Sequence, residues 1–80
     1  MDRLDKLLRL AKRSPAGLSF VEFEAMMGLA KWKLDRQRGS HRMWYSPKGY
    51  RLPVQAVGRK AKAYQVRQFL AQYDRENPDG

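Results

Sequence analysis

The spacing of apolar residues predicts two helices in the first 28 positions. Four apolar residues recur at the spacing of one helix face and predict an amphipathic helix over residues 1–13: Leu4, Leu7, Leu8 and Ala11. The segment Ser14-Pro15-Ala16-Gly17 should break this helix. Ser19 and Glu22 then have the spacing of a capping box that opens a second helix, which Gly28 ends. Its aromatic and methionine residues are interpreted as core: Phe20, Phe23, Met26 and Met27.

After residue 31 the period changes and predicts a three-stranded antiparallel meander. Trp32, Leu34 and Arg36 alternate with Lys33, Asp35 and Gln37, and the turn at residues 38–40 leads to a second strand over residues 41–46. Ser46-Pro47-Lys48-Gly49 suits a type I turn, followed by a third strand from Tyr50 to Ala56. Pro53 cannot donate to a ladder, which indicates an edge strand or a bulge there.

The two faces of the second strand differ in chemistry. One face carries His41, Met43 and Tyr45, and the other carries Arg42, Trp44 and Ser46. Because a strand places alternate side chains on opposite faces, only one of these sets can face the core. The pattern itself favours neither.

The last periodic segment predicts a helix from Ala61 to Asp74. Its apolar positions share one face: Ala63, Val66, Phe69, Leu70 and Tyr73. Residues 75–80 are expected to fray. The predicted fold class is α+β, with a three-stranded antiparallel sheet packed against helices in the order α-α-β-β-β-α.

Length and composition exclude several classes of protein. The 80 residues predict a single small domain, and the absence of cysteine excludes a disulfide framework and a thiolate metal site. One histidine cannot form a histidine-rich metal site, so we expect no metal and no cofactor. No apolar run approaches the roughly 18 residues needed to span a bilayer. We therefore expect a cytoplasmic protein that makes no membrane contact.

The net charge of +9 comes from one half of the chain. No acidic residue lies between Asp35 and Asp74, whereas nine cations do; the other residues carry eight charges of each sign. Such one-sidedness indicates a polyanionic partner, either nucleic acid or an acidic protein. The alternative is a basic surface that serves solubility alone.

A basic segment precedes the last predicted helix. Gly58-Arg59-Lys60-Ala61-Lys62 places cations at a helix N-terminus, where they oppose the macrodipole, and it offers no capping side chain. A bound phosphate would satisfy both the free amides and the lysines, so Arg59, Lys60 and Lys62 are candidate RNA-backbone contacts. A glycine N-cap with solvated lysines is the alternative.

His41 is the candidate catalytic residue. It follows Gly39-Ser40 and lies among Arg36, Arg38 and Arg42, which could hold a scissile phosphate. Imidazole, with an unperturbed pKa near 6.5, exchanges protons at neutral pH, and the RNA 2′-hydroxyl needs only positioning, a base and cations to attack its own phosphate. Without catalysis, His41 would be a passive RNA contact or a turn residue. The second proton-transfer group stays open among Tyr45, Lys48 and bound water.

One stretch and its surroundings resemble the HicA family of toxin–antitoxin mRNA interferases. The resemblance covers about residues 17–74, with the helix of residues 1–13 outside it. Four segments carry it: Arg36-Gln37-Arg38-Gly39-Ser40-His41, the turn Pro47-Lys48-Gly49, Leu52-Pro53-Val54, and Lys62-Ala63-Tyr64-Gln65-Val66-Arg67-Gln68-Phe69.

The resemblance implies a fold like the double-stranded RNA-binding domain and a metal-independent endoribonuclease. The family's catalytic histidine falls on His41, and the substrate would be single-stranded mRNA. It also implies a HicB-type antitoxin, whose acidic surface would complement the basic half of the chain. Ser40 and Lys48 are further candidate RNA contacts.

Two other functions compete with the nuclease. A protein of the same fold could bind RNA without cleaving it. A winged-helix DNA-binding protein is the third possibility, but the second helix would then have to enter the major groove, and residues 19–28 contain Glu22 and Glu24 and no cation.

Overall fold

Two side-chain caps fix where the first helices begin. The computed structural model describes residues 2–79, and helix α1 spans Arg3–Arg13 with the Asp2 carboxylate accepting from the Asp5 amide at 2.9 Å. A short 3₁₀ turn over Pro15–Gly17 breaks the chain where proline and glycine predict it. Of the predicted first helix, Met1 lies outside the described residues.

Helix α2 spans Phe20–Leu29 and begins with the predicted capping box. The Ser19 hydroxyl accepts from the Glu22 amide at 3.0 Å, and the Glu22 carboxylate accepts from the Ser19 amide at 2.9 Å. The predicted end at Gly28 is wrong by one residue. The chain instead reverses at Lys31, whose φ of 72° lies in the left-handed region and whose amide donates to the Gly28 carbonyl.

The predicted meander is confirmed. Strands β1 (Lys33–Arg38), β2 (His41–Tyr45) and β3 (Arg51–Val54) form an antiparallel sheet in the order β1-β2-β3. The Gly49 amide closes the turn between β2 and β3 on the Ser46 carbonyl at 2.9 Å. β3 is an edge strand, which explains how it accommodates Pro53.

A small second hairpin was not predicted. Strands β4 (Ala56–Val57) and β5 (Lys60–Ala61) pair with each other, and Gly58 turns the chain with a φ of 61°. The third predicted strand therefore ends two residues early. The amide of Ala61 donates to the Leu18 carbonyl, so this hairpin is fixed to the segment before α2.

Helix α3 spans Ala63–Glu76, two residues later at each end than predicted. The helix includes Arg75 and Glu76, the first two residues of the tail expected to fray, and the Glu76 carboxylate accepts from Gln72 Nε2 at 2.8 Å and from the Lys48 amide at 3.4 Å. Burial raises the pKa of Glu76, but hydrogen bonds from Ser46, Gln72 and Lys48 outweigh it and lower the pKa overall. Gly80 lies outside the described residues.

The core lies between the helices and one face of the sheet. Phe69 of α3 is fully buried and contacts Phe23 and Trp32, with ring centroids 6.1 and 4.9 Å away. Trp44, Leu52 and Val54 are the buried side chains of β2 and β3. The order α-α-β-β-β-α and the α+β class are thus confirmed. Within residues 2–79, no helix has the length and apolar character needed to cross a bilayer.

The capping box predicts a stability effect that depends on pH. Replacing Ser19 by alanine should lower the free energy of unfolding by about 1 kcal/mol at pH 7, because the Glu22 amide loses its acceptor. The Ser19 amide and hydroxyl lower the pKa of Glu22. A carboxylate whose pKa is lowered by folding stabilises the folded protein above the ordinary glutamate pKa, and this stabilisation is lost as the pH falls through the lowered pKa. The difference in the free energy of unfolding between the parent and Ser19→Ala should therefore become smaller in acid.

Urea unfolding of the parent and the variant, measured at pH 7 and at several acidic pH values, checks this effect. Ser14→Ala is the matched control, since Ser14 makes no side-chain capping bond and should change stability by less than about 0.5 kcal/mol. Equal losses for the two serine variants would contradict the role of the box.

Candidate nucleic-acid interface

The structure decides which face of β2 is free. Trp44 is only 7% exposed and packs toward the helices, so the alternate residues His41, Met43 and Tyr45 lie on the opposite side of the sheet. β3 follows the same division, because Leu52 and Val54 are buried while Arg51 and Pro53 are exposed. We call the side of the sheet that carries His41 the open face.

A β-bulge in β1 separates Leu34 from two arginines that lie on the open face. Leu34 pairs with Trp44 and Arg36 pairs with Met43, so Asp35 is an extra residue without a partner on β2. Strict alternation predicts that Leu34 and Arg36 share a face, and this is wrong because the bulge shifts the phase by one residue. Arg38 then pairs with His41.

His41 lies in a cavity of about 180 Å³ on the open face, which we call the histidine cavity. Its lining contains three arginines and no carboxylate: Arg36, Arg38, His41, Met43 and Arg51. His41 is exposed, and within residues 2–79 neither Arg38 nor Arg51 forms an ion pair. The cavity can therefore hold an anion next to the imidazole.

A second cavity adjoins the first. It has a volume of about 240 Å³, and we call it the tyrosine cavity; its lining is Asp35, Arg36, Met43, Tyr45 and Arg51. Arg36, Met43 and Arg51 line both cavities, so the two cavities adjoin along the sheet. Asp35 brings the only carboxylate to this lining, at 3.6 Å from Arg36 Nε.

The grouping of Arg42 with the other arginines around His41 is wrong. Arg42 lies on the helix-facing side of β2, where its Nε pairs with the Glu24 carboxylate of α2 and its Nη1 donates to Gln37 Oε1 at 2.7 Å. Trp44 Nε1 donates to the same Glu24 oxygen at 3.1 Å. Arg42 thus connects β2 to α2, and its charge is paired with the Glu24 carboxylate.

The first residues of α3 are connected to the turn before His41. Gln55 Nε2 donates to the Ser40 hydroxyl at 2.9 Å, and Gln55 Oε1 accepts from Lys62 Nζ at 3.1 Å. Oε1 of the buried Gln65 side chain accepts a hydrogen bond from the Gln55 backbone amide at 3.0 Å. This bond fixes the position of Gln55 between Ser40 and Lys62. Ser40 and Lys62, which are far apart in sequence, are therefore linked through Gln55 at the turn before His41.

The predicted basic helix start is only partly correct. Lys62 is the N-cap of α3 and provides no side-chain cap, as expected. Arg59 and Lys60 are not at the helix start, because they belong to the turn and second strand of the small hairpin. Lys60 Nζ donates to the Gly17 carbonyl at 3.3 Å, on the side of the 3₁₀ turn.

The candidates for a second proton-transfer group are also separated from His41. Tyr45 lies four residues along β2, roughly 13 Å away at the usual strand rise, and lines the tyrosine cavity. Lys48 is in the turn beyond the other end of β2, so it cannot join the histidine cavity. A bound water is the alternative that this geometry leaves.

Sequence reasoning missed two residues of the site. Arg51 lines both cavities, and the alternation Arg51-Leu52-Pro53-Val54 could have placed it opposite the core. Gln55 positions Lys62 and Ser40, and no sequence signal marks it. Within residues 2–79, no group of three or more histidine, cysteine or acidic side chains could hold a metal ion.

The placement of Arg42 predicts a structural role. Arg42→Ala should lower the free energy of unfolding by about 1–3 kcal/mol, because the partly buried Glu24 carboxylate loses its charged donor. Arg38→Ala removes the same charge from an exposed position and should stay within about 0.5 kcal/mol of the parent.

A double-mutant cycle with Glu24→Ala, followed by urea unfolding, isolates the pair. A coupling energy of at least about 0.5 kcal/mol is expected for residues in direct contact. Additive effects of the two substitutions would mean that the Arg42–Glu24 ion pair does not contribute to the stability of the protein in solution.

Comparison with protein-family models, with curated proteins and with solved structures gives no match to this chain. The function of the open face therefore has to be inferred from its own residues and their geometry.

Proposed function

We propose that this protein is a metal-independent endoribonuclease that acts as an mRNA interferase toxin of the HicA type. One observation carries the proposal: His41 is exposed in a cavity that it shares with three arginines and no carboxylate. An exposed imidazole beside three arginines suits phosphodiester cleavage, which needs a general base and cations that stabilise the phosphate charge. The predicted substrate is single-stranded mRNA in the cytoplasm.

The arrangement suggests how each side chain acts. Arg36, Arg38 and Arg51 would bind the scissile phosphate and stabilise the charge that develops on it. The His41 imidazole would accept the proton of the 2′-hydroxyl as its oxygen attacks phosphorus. The bond from phosphorus to the 5′-oxygen then breaks, a water protonates that oxygen, and the 5′ product ends in a cyclic phosphate.

In this proposal, the start of α3 provides a second contact to the RNA backbone. The amides of Ala63 and Tyr64 have no partner among the described residues, and Lys62 provides a cation next to them. The Ser40–Gln55–Lys62 link keeps this helix start close to His41. We propose that the fold resembles a double-stranded RNA-binding domain, which binds phosphates with a basic helix start.

The open face also suits an inhibitory partner. An acidic HicB-type antitoxin would complement the arginines of the histidine cavity and would exclude RNA from them. The winged-helix alternative is disfavoured, because Glu24 of α2 contacts Arg42 and Trp44 of the sheet and α2 carries no cation.

The proposal predicts that His41→Ala abolishes cleavage without loss of folding. Purified parent protein should cut unstructured RNA in EDTA and leave cyclic or 3′ phosphates. The variant should cut at least about 100-fold more slowly, because it lacks the general base. Its circular dichroism and its affinity for RNA should stay close to those of the parent, and its expression should no longer arrest growth.

Two results would contradict this assignment. Equal cleavage rates for the parent and His41→Ala would exclude His41 as the base. RNA binding by the parent without any product would favour the runner-up, in which the same open face binds RNA without cutting it.

The phosphate contacts predict a change in salt dependence. Arg38→Ala and Lys62→Ala should each reduce the slope of log affinity for single-stranded RNA against log salt by about 0.7, the value for one lost phosphate contact. Fluorescence anisotropy at several salt concentrations measures the slope.

Lys12→Ala is the matched control for these two variants. Lys12 lies on α1 and is 3.7 Å from Asp74 of α3, away from the open face, so its loss should leave the slope unchanged. If the slope of log affinity against log salt falls equally in all three variants, RNA contacts the charged surface without preference for the open face.

A further inference from the structure

We infer that the tyrosine cavity is a base-binding subsite that selects guanine in single-stranded RNA. This inference rests on the proposed function, because it requires an RNA strand on the open face. The cavity volume of about 240 Å³ lies below the roughly 300 Å³ at which pockets for drug-sized ligands begin, and a single base is a ligand of that smaller size.

The bulge is the first observation that carries this inference. Consecutive residues of a regular strand face opposite sides of a sheet, yet Asp35 and Arg36 both line the tyrosine cavity. The register shift between Leu34 and Arg36 is what allows this. Bulges next to binding sites commonly redirect a side chain, and here the bulge adds a carboxylate to a cationic face.

The aromatic ring is the second observation. Tyr45 is half-buried and forms part of the same lining, so its ring provides a surface on which an unpaired base can stack. Stacking on an aromatic side chain is the usual way in which proteins hold a base of single-stranded RNA, and it does not distinguish one base from another. The selectivity must therefore come from a polar group.

The Asp35 carboxylate can supply that selectivity. It is exposed, and its contact with Arg36 Nε at 3.6 Å is too long for a hydrogen bond, so both oxygens can still accept hydrogen bonds. Guanine presents two adjacent donors, N1–H and the N2 amino group, which match the two oxygens. Cytosine and adenine present one donor beside an acceptor, and uracil presents one donor between two carbonyls, so each of them leaves a mismatch.

The subsite lies where a strand bound at His41 would continue. Arg36 and Arg51 line both cavities, so a phosphate held by them lies between the imidazole and the Tyr45 ring. Tyr45 is roughly 13 Å along the strand from His41, which is far enough for the selected base to lie on a neighbouring nucleotide. Asp35 and Tyr45 thus read the sequence next to the cleavage position.

Binding of short RNAs tests this inference without requiring cleavage. The probes are fluorescent, 2′-O-methylated single strands of one length: an all-uridine strand and four strands in which the central uridine is replaced by guanosine, adenosine, cytidine or inosine. Fluorescence anisotropy gives their affinities. The guanosine strand should bind at least about fivefold tighter than the uridine, adenosine and cytidine strands, as a bidentate contact provides. Inosine, which lacks the N2 amino group, should lie between them.

Variants assign the preference to the cavity. Asp35→Asn should remove the guanosine preference while leaving affinity for the other strands equal or higher, since it removes a negative charge. Asp74→Asn makes the same change on the far side of the molecule and should keep the preference. Tyr45→Leu should weaken all strands, whereas Tyr45→Phe, which keeps the ring, should not.

The outcomes separate this inference from the function it rests on. RNA binding with no guanosine preference, or a preference that persists in Asp35→Asn, overturns the base subsite and leaves the nuclease proposal intact. No binding to any strand overturns both.

Discussion

The arrangement of the open face depends on how β2 is fixed to the helices. Trp44 is buried, and its indole N–H shares the Glu24 carboxylate of α2 with Arg42. Moving Trp44 to the other side of the sheet would expose a large aromatic surface and leave a partly buried carboxylate without its donors, which is costly. Because strand residues alternate, this one anchor forces His41 to solvent.

The hairpin turn and the bulge at Asp35 together set the two sides of β1. The two-residue turn pairs Arg38 with His41, so Arg36 and Arg38 lie on the side of the imidazole and join Arg51 there. The bulge then allows Leu34 to pair with Trp44 on the opposite side, and it adds Asp35 to the tyrosine cavity. This register brings residues of three strands together on the open face.

The sequence predicts the elements well and their relations less well. Period-two alternation separates His41 from Trp44, but the two sides of β2 are each part apolar and part polar, so only the position of α2 decides which is buried. The bulge is not visible because alternation in β1 looks regular from Trp32 to Gln37. The small hairpin depends on bonds to residues 17–20, which no local pattern contains.

The distribution of carboxylates bears on the proposal that one surface binds both an RNA substrate and an inhibitor. Glu24 neutralises Arg42 on the covered side of the sheet, while Asp35 is the only acidic residue that lines the two cavities. Arg38 and Arg51 form no ion pair within residues 2–79 and repel one another, and at physiological salt this repulsion acts over about 8 Å. Any polyanion that binds there relieves it. If the proposed function is correct, an RNA strand and an acidic antitoxin would compete for one set of arginines, and the antitoxin would need no separate allosteric site to inhibit the nuclease.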